Sequence, residues 1–67
     1  MKVYRLPIDI YTPQSITDGI QAFAPLCIAS GTLEGDHTIL RVDATDDLVP
    51  AELLNYILGL SAQSLIQ

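Results

Sequence analysis

One thiol and one imidazole, Cys27 and His37, are the chain's only candidates for a cysteine nucleophile and a histidine base. Covalent catalysis by such a pair requires the two side chains within hydrogen-bonding reach of each other. Residues 26–33 (LCIASGTL) and 38–43 read as two strands, joined through Glu34, Gly35, Asp36 and His37, with Gly35 where a short hairpin connection needs a positive φ. Cys27 then begins one strand and His37 leads into the other, which puts them at opposite ends of the hairpin. Cys27 is therefore expected to be a small core hydrophobe, and His37 a turn residue.

Other chemistries fare no better. Glu34, Asp36 and His37 offer metal-ligand types, but three ligands in one tight turn lack a coordination geometry. Carboxylates acting as acid and base need a cleft, whereas Asp43, Asp46 and Asp47 fall in a linker and are expected to be solvated. Gly19, Gly31, Gly35 and Gly59 are isolated, so no phosphate-cradling loop is present. Tyr4, Tyr11 and Tyr56 are expected to pack. The reading is a protein without catalytic, cofactor-binding or metal-ligating residues, and not an enzyme.

The elements around these residues follow from patterning. Residues 2–11 alternate, with Tyr4, Leu6, Ile8 and Ile10 on one parity and Arg5, Pro7 and Asp9 on the other, as in a half-buried strand. Pro7 cannot donate to a ladder and places this strand at an edge. Thr12 and Pro13 suit the cap and first position of a helix running to about Ala24, with Ile16, Ile20, Phe23 and Ala24 on one face and Pro25 as its stop. Asp46 and Asp47 lie favourably before a second helix over residues 50–65, with Pro50 in its first turn.

The order βαββα predicts a single α+β domain over residues 1–67. Its simplest sheet has three strands in order 1-3-2 with both helices on one face, resembling a ferredoxin-like fold without its last strand. An edge left open by that missing strand is a template for another chain unless blunted; Pro7 and Asp9 are expected to blunt it. A partner surface is then sought on the open sheet face or the last helix.

At 67 residues the chain buries only about 60% of its unfolded surface, and with one cysteine it has no internal disulfide. A partner subunit is the expected supplement. A hydrophobic content of 49% fits a folded domain. The net charge of −5, with Lys2, Arg5 and Arg41 as the only cations, argues against nucleic acid and anionic membranes. Pro7 and Asp9 interrupt any leader-like apolar run, and no apolar stretch reaches spanning length, so a cytoplasmic protein is expected.

The last helix carries the strongest signal. At 100° per residue, Leu53, Leu54, Tyr56, Ile57, Leu58, Leu60 and Leu65 sweep an arc of about 200°, twice the usual core-facing stripe. Glu52, Asn55, Gly59 and Gln63 form the polar side. One sheet cannot cover that arc, so Leu54, Tyr56, Leu58 and Leu65 are the expected contact residues of a homodimer or of docking on a larger protein. Packing against both the sheet and the first helix is the competing use of the same surface.

The strand ending in IDIY, the TPQSITDGIQAFA helix, the hairpin and the AELLNYIL segment together resemble the His-Xaa-Ser system protein HxsD family. The resemblance implies a small accessory protein associated with radical SAM enzymes in peptide modification, whose partner is a modifying enzyme or its precursor peptide. It assigns no catalytic residue. The expected function is a non-enzymatic interaction module; the alternative is a small-ligand-binding regulatory domain with a shallow site at the hairpin and first-strand ends.

Overall fold

The structure, a computed structural model, describes the backbone of residues 1–66 and the side chains of residues 1–63. Its elements are β1 (Lys2–Pro7), α1 (Pro13–Ala22), β2 (Ile28–Glu34), β3 (His37–Asp43) and α2 (Val49–Ile66). The sheet is antiparallel throughout with order β1-β3-β2. This is the expected α+β arrangement.

Register fixes the two faces. Tyr4 pairs with Leu40 and Leu6 with Thr38, while Ala29 pairs with Val42 and Gly31 with Leu40. Side chains of this parity meet the helices, and Leu6, Leu40 and Val42 form one core with Ile16 of α1 and Leu53 and Ile57 of α2. Burial of each such aliphatic side chain contributes about 1.5 to 3 kcal/mol. Both helices therefore cover one face, and on the opposite parity Val3, Arg5, Ser30, Thr32 and Arg41 are exposed while Ile39 is half-buried.

β1 is shorter than its alternation predicts. β3 begins at His37, opposite Pro7, so beyond that rung the chain has no strand to pair with. Ile8 N–H makes one last bond to the Asp36 carbonyl at 3.0 Å, and the Tyr11 amide turns back to the Pro7 carbonyl at 2.9 Å. Ile10, expected on the core parity, is instead 50% exposed.

α1 starts as its sequence suggests. Thr12, in extended conformation, accepts from the Ser15 amide at 3.3 Å, and Pro13 occupies the first turn. The helix ends at Ala22, before Pro25 could stop it: the Phe23 amide makes the last i→i−4 bond, to the Gly19 carbonyl at 3.0 Å, and the Ala24 amide tightens the turn onto the Gln21 carbonyl at 3.3 Å. Ala24 consequently lies outside the helix and exposed. Gly35, at φ 61°, is the only residue with positive φ among those described. With Asp36 at negative φ, the two-residue connection is of type II′, whose twist matches the flanking strands.

Candidate functional site

Cys27 lies just before β2, beyond the Ile28–Asp43 rung, and His37 closes the other end of the hairpin against Glu34. Seven residues of strand, about 20 Å at the usual rise, separate those ends. The Cys27 thiol donates to the Phe23 carbonyl at 3.5 Å, and burial pushes its pKa up, which disfavours the thiolate a nucleophile needs. His37 Nδ1 lies 2.7 Å from the Asp36 carboxylate. An ionised carboxylate only accepts, so this nitrogen carries the proton. The hydrogen bond and charge of His37 hold Asp36 below the usual carboxylate range.

Among the described residues, no group of three or more His, Cys, Asp or Glu side chains is placed to hold a metal ion. No buried side-chain nitrogen or oxygen among them lacks a hydrogen-bond partner. No described helix is long and apolar enough to cross a membrane.

α2 divides its apolar arc. Val49, Leu53 and Ile57 are buried, and Leu54 and Leu60 are half-buried, Leu54 against the core. Tyr56 and Leu58 flank that stripe at 43% and 40% exposure. Tyr56 rests on Phe23 of α1, ring centroids 5.5 Å apart and tilted by 60°, an edge-biased geometry that favours aromatic contact. Leu65 lies outside the described side chains. Two helices, rather than the sheet alone, absorb the middle of the arc, and Gly19 is what lets them meet: a Cβ there would stand 2.5 Å from Ile57 Cγ1.

β2 is the second edge of the sheet, opposite β1. It has β3 on one side and no described strand on the other, and every residue in it except Ala29 is exposed. Ile28 and Leu33 are 78% and 62% exposed. In a two-residue hairpin the rung next to the turn is hydrogen-bonded, and bonded rungs alternate. Glu34, Thr32, Ser30 and Ile28 therefore bond to β3, while the amides and carbonyls of Ala29, Gly31 and Leu33 point outward.

Beside this edge is an open groove of about 160 Å³. Pro13, Ile16, Thr17 and Ile20, one face of α1, form its wall, and Gly31 and Leu33 form its floor with Thr38. Gly31 keeps the floor clear: a Cβ there would already touch Thr38 Cγ2 at 3.4 Å and Ile16 Cγ2 at 3.6 Å. A second, shallower depression of about 320 Å³ is lined by residues 24–28 and 43–45 at the far end of the hairpin. The signal for the edge was present in ASGTL, residues 29–33, which lacks the proline and charges that normally guard one.

No family model, curated protein or solved structure matches this chain.

Proposed function

We propose that this protein is a non-enzymatic interaction module that docks on a larger protein or on a second copy of itself, with the exposed flanks of α2 as contact surfaces. The observation that carries the reading is that Tyr56 and Leu58, large apolar side chains on either side of the buried stripe of α2, are left 43% and 40% exposed. Full burial of such a side chain contributes about 1.5 to 3 kcal/mol, so covering the exposed two fifths of each would add roughly 1 kcal/mol, a meaningful amount for so small a domain. The resemblance of the AELLNYIL segment to HxsD proteins supports a role beside a radical SAM peptide-modifying enzyme, as an accessory that holds the enzyme or its precursor peptide.

Sedimentation velocity tests this on the full chain, alone and mixed with a radical SAM peptide-modifying enzyme. The wild type is expected to self-associate or to co-sediment, and Leu58→Glu to abolish that. A wild type that stays monomeric and binds nothing overturns the reading.

A further inference from the structure

We propose that the free edge of β2 and the groove beside α1 take an extended peptide segment by strand addition, one with apolar side chains at alternate central positions and basic residues at both ends. The inference rests on the interaction-module reading but names a different surface from α2. Three observations converge on it.

The outward amides and carbonyls of Ala29, Gly31 and Leu33 are left to water and form a row that an added extended backbone can pair with in register. The groove lies on the helix side of that edge, where alternate side chains of an added strand would point, and Gly31 leaves room for an aliphatic side chain against Ile16 and Ile20. Such a division, with the backbone giving affinity and pockets selecting alternate side chains, is how strand addition reads peptides.

Charge selects the flanks. Exposed Glu34 and Asp36 stand at the turn end of β2, and exposed Asp43 stands opposite Ile28 at the other. The residues between them on β2 carry no charge. The same layout disfavours a second copy as occupant. Two-fold antiparallel pairing of β2 about Gly31 would set Glu34 of each copy opposite Ile28 of the other, two strand spacings, about 10 Å, from that copy's Asp43, a weak like-charge repulsion at both ends of the pairing.

Fluorescence anisotropy of the full chain with a labelled peptide, Lys-Lys-Thr-Val-Thr-Val-Thr-Lys-Lys, tests the proposal. Saturable binding is expected, weakened at least about tenfold by Gly31→Leu, which fills the groove, and by Thr17→Arg, an exposed helix substitution on the groove wall that leaves the core untouched. Replacing the four lysines of the probe by glutamates is expected to abolish binding, and Leu58→Glu to leave it within about twofold. Absence of binding to the wild type, equal binding of the glutamate probe, or loss with Leu58→Glu but not with Thr17→Arg overturns the proposal. So does a dimer in sedimentation that Gly31→Leu dissociates, which would make β2 a self-pairing edge. Because the α2 reading is scored by Leu58→Glu in a separate assay, either can fail while the other stands.

Discussion

The Ser61 hydroxyl accepts a hydrogen bond from the backbone amide of Thr12 at 3.0 Å, joining the end of α2 to the start of α1 across most of the chain. Ser61 is fully buried, and Thr12 uses its side chain to cap α1 while its amide is held by α2. One residue thus fixes both where α1 begins and how it sits on its neighbour. Ser61→Ala leaves that amide without its partner and is expected to cost about 1 to 3 kcal/mol, read as a lower urea midpoint with an unchanged slope.

The two helical glycines should respond in opposite directions to alanine. At Gly19 the new methyl collides with Ile57, and overpacking of about 1 to 3 kcal/mol outweighs the gain of up to about 1 kcal/mol in helix propensity. At Gly59 a Cβ meets nothing within 4 Å, so only the propensity gain remains. Thermal melts should place Gly19→Ala below the wild type and Gly59→Ala above it.

Leucines on opposite sides of α2 should also separate. Leu53 is completely buried, and Leu53→Ala is expected to cost about 2 to 5 kcal/mol, enough to unfold much of a domain this small. Leu58→Ala is expected to change stability by no more than about 0.5 kcal/mol in the monomer. Circular dichroism during urea titration at low protein concentration distinguishes the two, and equal losses would contradict the packing of α2.

Acid should act on the hairpin turn through Asp36. The hydrogen bond from His37 holds this carboxyl below its ordinary value of 3.8. A carboxylate depressed in the folded state stabilises above its unfolded pKa, and that contribution is lost as pH falls through the depressed value. Carboxyl chemical shifts in His37→Ala should show Asp36 titrating at higher pH than in the wild type, while the rest of the hairpin keeps its spectrum at neutral pH.

Sheet order, face assignment and helix starts were legible because each rests on local chemistry. Pro7 placed β1 at an edge, the parity of Tyr4 and Leu6 marked its inward face, and Thr12 with Pro13 marked the start of α1. What escaped depends on partners distant in sequence. The end of β1 is set by where β3 runs out, which the alternation through Ile10 cannot register. The burial of Gly19 and Ser61 follows from the meeting of two helices, and Tyr56 and Leu58 are distinguished from Leu54 only once α1 has taken its place. The groove beside β2 is a property of α1 and Gly31 together, although the unguarded strand could have been noticed.

The placing of β1 against β3 also has a kinetic consequence. β2 and β3 are joined by a two-residue turn, whereas every rung of β1 joins residues about 30 to 40 positions apart. Closing so long a loop costs entropy before any contact is gained, and such non-local pairing slows folding. The hairpin forms on the fast timescale of local structure, and the N-terminal strand arrives afterwards. During synthesis β1 must therefore wait for the about 30 to 40 residues that lead to β3 before its place in the sheet exists.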